Sequence, residues 1–98
     1  MTTISEMLTE YVEFTVKKLV DHPEEVDVNI MISTKSVIAQ IKVAPIDCGK
    51  VIGKRGRTIE SLKVLVLAIK NTHFSDDNRR VSLEILEDET QNIIKEEL

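Results

Sequence analysis

The fold is decided by residues 51–59, Val-Ile-Gly-Lys-Arg-Gly-Arg-Thr-Ile. Gly53 and Gly56 lie on either side of two cations. Because glycine has no Cβ, the backbone can take φ > 0 there or approach another backbone segment closely. Apolar segments on both sides favour helices, so the pattern predicts a tight turn between two helices. The second helix, opening near Arg57, would present unpaired amides and a partial positive charge. Together with the charges of Lys54 and Arg55, these groups would hold an anion such as a sugar-phosphate backbone.

Other glycine-rich phosphate loops do not fit this spacing. A Walker A loop requires Gly-x4-Gly-Lys-Ser/Thr, but Cys48 occupies the first glycine position and Arg55 the hydroxyl position. The dinucleotide pattern Gly-x-Gly-x-x-Gly fails because Val51 stands at its first glycine. A nucleotide-dependent enzyme is therefore the weakest functional class.

No grouping of catalytic or metal-binding residues is evident. His22 and His73 are far apart in the sequence and lack companion ligands, and Ser61, His73 and Asp76 do not suggest a catalytic triad. We therefore expect a binding protein with no metal, no cofactor and no catalytic residues.

Residues 51–59 resemble the V-I-G-x-x-G-x-x-I signature of KH domains. Residues 45–50, Pro-Ile-Asp-Cys-Gly-Lys, and residues 19–26, Leu-Val-Asp-His-Pro-Glu-Glu-Val, are similar to the small bacterial KhpA-like KH proteins. The resemblance covers roughly residues 4–87. It implies a loop that clamps the backbone of about four single-stranded nucleotides.

The resemblance also assigns expected roles to individual residues. Lys54 and Arg55, held between the two glycines, are the strongest candidates for contact with phosphate oxygens. In KH domains, an apolar groove beside the loop receives the bases, at positions that match Val43, Ile46, Val51 and Ile52. Most of these should be core residues. The predicted RNA-binding set is Gly53, Lys54, Arg55 and Gly56, with Lys50, Arg57, Ile46 and Ile52 around them.

KhpA-like proteins, as the resemblance implies, form homodimers and associate with a larger partner that carries its own KH domain. The implied function is binding of single-stranded RNA, as a post-transcriptional regulator or RNA chaperone connected to growth and division. A rival interpretation is a protein-interaction module that keeps the KH scaffold to dock a partner. The acidic total charge and the scarcity of aromatic residues favour this protein-interaction interpretation.

Length and composition predict one domain. The chain has 98 residues, 42% of them hydrophobic, which suits a KH domain over residues 1–87 and an acidic tail or short helix over 88–98. The single cysteine, Cys48, excludes an internal disulfide and fits a reducing compartment. An acidic N-terminus without a long apolar run argues against a signal peptide or a membrane span. A cytoplasmic location is expected.

The net charge of −4 is unusual for a nucleic-acid-binding protein. Its distribution is uneven, because residues 50–63 hold five cations against Glu60 alone, a local charge of +4. Screening limits the reach of each charge to roughly 8–10 Å at physiological salt, so a ligand at the loop would respond mainly to this patch. Aromatic residues make up only 3% of the chain, so base stacking cannot be the main contact. We expect modest affinity.

Hydrophobic periodicity predicts an α+β fold in the order α-β-β-α-α-β. Thr3 and Glu6 form a capping box for the first helix. A short turn between the first two strands favours an antiparallel hairpin, and the crossover to the last strand favours parallel pairing. The result is a three-stranded mixed sheet with helices on one face, as in the type II KH arrangement. The predicted elements are helices at 4–20, 48–52 (capped by Asp47) and 58–71, and strands from Val26 to Ile32, Val37 to Val43 and Val81 to Leu86.

The third helix is apolar on more than one side. Its sheet-facing stripe is predicted to hold Ile59, Leu62, Leu65, Val66 and Ile69. The opposite face carries Val64, Leu67 and Ala68, which either the first helix or another molecule must cover. These three residues are therefore candidates for a dimer interface.

Overall fold

The first helix, α1, spans Ile4–Leu19 in a computed structural model that describes residues 3–86 and the backbone of residues 93–95. The predicted capping box is confirmed: Thr3 Oγ1 accepts a hydrogen bond from the Glu6 amide, and Glu6 Oε1 accepts one from the Thr3 amide, both at 3.1 Å. The helix buries one stripe, formed by Ile4, Leu8, Val12 and Val16. In the described part of the chain, no helix has the length and apolar character required to cross a bilayer.

In the described part of the chain, four strands form one sheet in which strands that are consecutive along the chain lie side by side. Strand β1 (Asp27–Ile32) pairs antiparallel with β2 (Ser36–Lys42), and β2 pairs parallel with β3 (Arg80–Leu86). The predicted hairpin and the predicted parallel crossover are both confirmed. The crossover contains the short helix α2 (Cys48–Ile52) and the long helix α3 (Arg57–His73), so the α+β order predicted from the sequence is confirmed.

A fourth strand, β4 (Ile93–Lys95), pairs antiparallel with the end of β3. The sequence predicted a frayed tail or a short helix in this region, whereas these three residues extend the sheet. The predicted boundary between domain and tail, at residues 87 and 88, lies outside the described residues.

The core lies between the sheet and the helices. β2 and β3 are central strands, and their inward-facing residues are almost completely buried. Strand β1 lies at the edge. The alternation of Val26, Val28, Ile30 and Ile32 in the sequence predicts that all four lie on the buried face, but this was wrong for Ile32, the last residue, which is 46% exposed. An edge strand has a neighbouring strand on one side only, which leaves its end less covered. The buried residues of β2 and β3 are Val37, Ala39, Ile41, Leu83 and Ile85.

The sheet-facing stripe of α3 differs from the predicted one. Ile59, Leu62 and Val66 are buried as expected, but Leu65 is 51% exposed and Lys70 is buried. With about 100° between successive residues, Leu65 lies about 100° from the centre of the buried stripe, while Lys70 falls within it. The apolar character of Leu65 suggested burial that the helical geometry does not allow.

Candidate nucleic-acid interface

The turn between α2 and α3 has a left-handed backbone at three of its four residues. Gly53 has φ = 78°, Arg55 has φ = 58° and Gly56 has φ = 73°. The amide of Gly53 donates to the Gly49 carbonyl at 2.9 Å, and the amide of Gly56 donates to the Gly53 carbonyl at 3.1 Å. The loop is therefore held by its own backbone hydrogen bonds.

Position 53 requires glycine for a steric as well as a conformational reason. A Cβ at this position would lie 2.2 Å from Thr58 Oγ1 and 2.8 Å from the Thr58 backbone nitrogen. Its φ and ψ of 78° and 172° lie in a region that is essentially restricted to glycine. Only glycine allows the end of α2 to pass this close to the first turn of α3.

The cations of the turn face solvent. Lys54, Arg55 and Arg57 are exposed, and none of them makes an ion pair with another residue in the described part of the chain. Among those residues, no side chain caps the N-terminus of α3. The open end of a 17-residue helix and three exposed cations therefore favour an anion at the same place.

Lys50 is differently placed from the other three cations. Its ammonium nitrogen lies 3.3 Å from Asp21 Oδ2 and 3.6 Å from Asp47 Oδ1. Two carboxylates therefore offset its charge, although its side chain is still 43% exposed. We infer that Lys50 contributes less than Lys54 or Arg55 to the field at the turn.

Asp47 does not cap α2 through its side chain, so that prediction was wrong. Its buried carboxylate turns instead toward the segment after α1, where Oδ2 accepts a hydrogen bond from the His22 amide at 3.0 Å. Its Oδ1 has no hydrogen-bond partner in the described structure and interacts with Lys50 through charge. This contact ties the start of the short helix α2 to the segment that follows α1.

The pKa of Asp47 reflects this environment. Burial of the carboxylate raises its pKa, but the nearby backbone amides of Asp21 and His22, the latter hydrogen-bonded to Oδ2, and the positive charge of Lys50 lower it by more. The pKa of Asp47 therefore lies below its ordinary value, and the group is charged at neutral pH. The sequence carried no sign of this role, because the partners are 25 and 26 residues away from Asp47.

The candidate groove residues fall into two groups. Val43 and Val51 are buried in the core, as expected for most of these positions. Ile46 is 73% exposed, and Ile52 is partly buried against the core. An isoleucine with this exposure, directly before Asp47 and α2, offers an aliphatic surface close to the cationic turn.

The outer face of α3 is not covered by α1. Val64 is 56% exposed, Leu67 is 39% exposed, and Leu65 and Ala68 are exposed beside them. Of the two possibilities that the sequence left open, cover by the first helix is therefore excluded. These four residues form a continuous apolar face on α3, which we call the outer α3 face.

The sequence was compared with known protein families and with individual proteins. The family model for the KH domain of KhpA and KhpB matches residues 9–85. The chain is 42% identical over 81 residues to the RNA-binding protein KhpA of Chlamydia muridarum, covering 83% of this chain and 99% of that protein. It is 42% identical over 81 residues to RNA-binding protein KhpA of Clostridium perfringens, covering 81% and 100%, respectively.

A third relative is the RNA-binding protein KhpA of Borreliella burgdorferi, 42% identical over 78 residues, which cover 80% of this chain and 90% of that protein. No solved structure matches the chain significantly. The matched region includes both central strands, α2, the Gly53–Gly56 turn and α3. On this evidence the chain belongs to the KhpA/KhpB family of KH domains.

Proposed function

We propose that this protein binds single-stranded RNA by holding its sugar-phosphate backbone at the Gly53–Gly56 turn and that it catalyses no reaction. The observation that carries the proposal is the exposure of Lys54 and Arg55, without ion-pair partners in the described structure, on a turn with a constrained left-handed backbone. A constrained backbone loses little conformational freedom on binding, which favours association with phosphate. Three relatives named as RNA-binding proteins support the same function.

The residues around the turn would make different contacts with the RNA. Lys54 and Arg55 contact phosphate oxygens, and Arg57 adds charge at the start of α3. Lys50 has a secondary role because Asp21 and Asp47 offset its charge. The apolar surface of Ile46, with Ile52 behind it, contacts about four bases, the number that a KH loop of this kind clamps.

We further propose that the protein acts in the cytoplasm as a post-transcriptional regulator or RNA chaperone linked to growth and division. A homodimer, or a heterodimer with a larger KH-containing RNA-binding protein, would form through Val64, Leu67 and Ala68 of the outer α3 face. Two linked domains would raise RNA affinity through effective concentration, which a single domain with modest affinity requires.

The second candidate function is docking of a protein partner as the main activity. The specific observation in its favour is the outer α3 face, whose large apolar side chains are exposed to solvent. The two functions are compatible, but they predict different results when the cationic turn is altered.

The test is the double substitution Lys54→Asp/Arg55→Asp, measured by fluorescence anisotropy with labelled random-sequence RNA. Asp is one of the few residues that tolerate φ > 0, so the change at Arg55 preserves the turn while it reverses the charge. We expect RNA binding to be lost and the thermal midpoint to change little. The control is Lys17→Glu/Lys18→Glu on α1, which changes the net charge equally and should leave binding nearly intact.

Salt dependence provides an independent measurement. If three or four phosphates are contacted, log affinity should fall with log salt at a slope of about −2 to −3 for a single strand. RNA binding that survives the double substitution, or that does not respond to salt, would favour the docking function instead.

A further inference from the structure

A second group of cations lies away from the Gly53–Gly56 turn. Residues 28–83 hold ten of the 13 cations and only four of the 17 acidic residues, a net charge of +6. Residues 1–27 and residues 84–98 each carry a net charge of −5. Only four of those ten cations, Lys50, Lys54, Arg55 and Arg57, belong to the turn and its immediate neighbours.

The topology brings most of the remaining cations together at the opposite end of the molecule. Strand β2 runs toward the turn and α3 runs back, so the end of α3 lies near the β1–β2 hairpin and the start of β3. The Arg80 amide donates to the Lys35 carbonyl at 3.0 Å, which joins β3 to the hairpin. From Arg57 to Lys70 the helix rises roughly 20 Å, about half of the longest dimension of 38 Å.

A groove of about 500 Å³ opens at this end, between the last turns of α3, the loop that follows, and β3. Leu67 and Val81 provide part of its wall. Its polar lining consists mainly of Lys63, Lys70, Asn71, Asn78, Arg79 and Arg80. We call this the distal groove.

The charges in the distal groove are only partly offset. Asp77 is held by Arg79, whose Nε donates to Oδ1 at 2.9 Å and whose Nη2 also bonds to Oδ2. Lys70 is only 2% exposed, and its ammonium donates to the Asp77 backbone carbonyl, a neutral acceptor. Arg80 is exposed and makes no ion pair within the described part of the chain. Asp77 also interacts with Lys70 through charge, but its main partner is Arg79. The charge of Arg80 and part of that of Lys70 therefore remain available to an anion.

The burial of Lys70 strengthens this effect. A charge in a low-dielectric setting is screened less than one in water, so its field extends into the groove. The amide side chains of Asn71 and Asn78 line the groove and supply hydrogen-bond donors for an oxyanion. The positive charges and hydrogen-bond donors of the distal groove are the groups that a phosphate would bind.

We propose that the distal groove is a second phosphate-binding site, which takes a downstream phosphate of the same RNA strand that the Gly53–Gly56 turn holds. This inference rests on the proposed function. α3 carries a single acidic residue, Glu60, so a strand that follows this helix meets little repulsion. The excess of negative charge on residues 3–27 would disfavour a path along α1.

The length of helix between the two sites sets the length of RNA required. Roughly 20 Å corresponds to about six nucleotides at the 3.4 Å rise of a fully stacked strand and to fewer in an extended strand, in addition to about four at the turn. Lys63 and Lys70 lie about 20° apart around the helix, so the strand follows the flank of α3 that carries them and does not cross Val64 or Ala68. Leu67 belongs to both surfaces, so the distal groove and the outer α3 face meet at this residue. RNA of about four nucleotides would reach only the turn, whereas RNA of about twelve would reach both sites.

The test compares labelled random-sequence RNAs of about four and about twelve nucleotides. The variant is Asn78→Asp/Arg80→Glu, two exposed positions that line the groove. The control is Lys17→Glu/Asn29→Asp, an equal change of charge at exposed positions on α1 and β1. We expect the variant to bind the longer RNA about tenfold more weakly, with a salt slope shallower by about 0.7, and the shorter RNA within about twofold of the parent. The thermal midpoint of each variant shows that folding is retained.

The possible failures are distinguishable. If the unmodified protein binds both RNAs equally, or if the groove variant binds the longer RNA as tightly as the parent, the distal groove is not an RNA site, and the proposed function stands. If the variant loses affinity equally for both lengths, the groove is not a separate site, and the inference is overturned. If Lys54→Asp/Arg55→Asp leaves binding of the short RNA unchanged, the proposed function itself fails.

Discussion

The carboxylate of Asp47 accepts a hydrogen bond from the backbone amide of His22 at 3.0 Å, across 25 residues of sequence. This contact joins the connection between α1 and β1 to the segment that leads into α2 and the cationic turn. Lys50 completes the arrangement by lying between Asp21 and Asp47. The position of the turn therefore depends on a buried acidic residue that does not itself face the proposed ligand.

We predict that Asp47→Ala lowers the thermal midpoint by several degrees and weakens RNA binding. The substitution leaves the partly buried His22 amide without its acceptor and frees α2 to move relative to β1. Differential scanning calorimetry and anisotropy measure the two effects. Asp27→Ala, an exposed carboxylate on β1, is the control. An Asp47→Ala protein with unchanged stability would contradict the role assigned to this contact.

We predict that Gly53→Ala destabilises the fold by about 2–4 kcal/mol, because it combines an unfavourable backbone conformation with a clash against Thr58. Gly49→Ala, four residues earlier, is a matched control. An added Cβ at Gly49 meets no atom within 4 Å, and alanine favours a helix more than glycine does by up to about 1 kcal/mol. Urea unfolding measures the free energy of unfolding of both variants. Equal effects of the two substitutions would show that the turn is not constrained at Gly53.

We predict that stability falls in acid partly through Asp77. Hydrogen bonds from Arg79 hold the pKa of Asp77 well below its ordinary value of 3.8. A carboxylate with a lowered pKa in the folded state contributes stability above its unfolded pKa, and that contribution is lost as the pH falls through the folded pKa. Asp77→Asn should therefore reduce stability at neutral pH and flatten its decline below about pH 4.

Thermal unfolding at a series of pH values measures this dependence. The neighbouring Asp76→Asn is the control, since Asp76 is exposed and makes no ion pair in the described part of the chain. Identical acid profiles for the Asp77→Asn protein and the parent would rule out the contribution from Asp77.

We predict that Leu67→Asp weakens self-association by at least about tenfold, because it places a charge within the apolar outer α3 face. Light scattering coupled to size-exclusion chromatography measures the mass over a range of concentrations. Phe14→Asp on α1 changes another exposed apolar residue, outside the outer α3 face, and serves as the control. If the Leu67→Asp protein dimerises as well as the parent, the interface lies elsewhere.

Local patterns predicted most of the fold. Thr3 and Glu6 are three residues apart, so their reciprocal capping could be read directly from the chain. The alternation through Val37, Ala39 and Ile41 identified the buried strand because its period matches the pleat. The spacing of Gly53 and Gly56 likewise located the turn, whose backbone has positive φ at both glycines.

The predicted buried stripe of α3 was wrong at Leu65, where hydrophobicity and helical geometry disagree, and it missed the burial of Lys70. Leu65 is apolar but lies outside the buried stripe of α3, while Lys70 lies within it and is buried. Its long side chain reaches the carbonyl of Asp77 in the following loop, which makes burial of the charged end tolerable. No periodicity rule based on residue type identifies such a lysine.

The amino-acid sequence by itself determined the order of helices and strands, the place of the cationic turn and the local excess of positive charge, because each depends on residues that are close along the chain. Only the tertiary structure decided that Asp47 anchors α2 to His22, that the outer α3 face stays uncovered, and that Lys70, Arg79 and Arg80 line one groove. These relationships join residues that chain folding brings together from distant positions or from different secondary structures. Their distances and burial therefore depend on the packing of the whole domain.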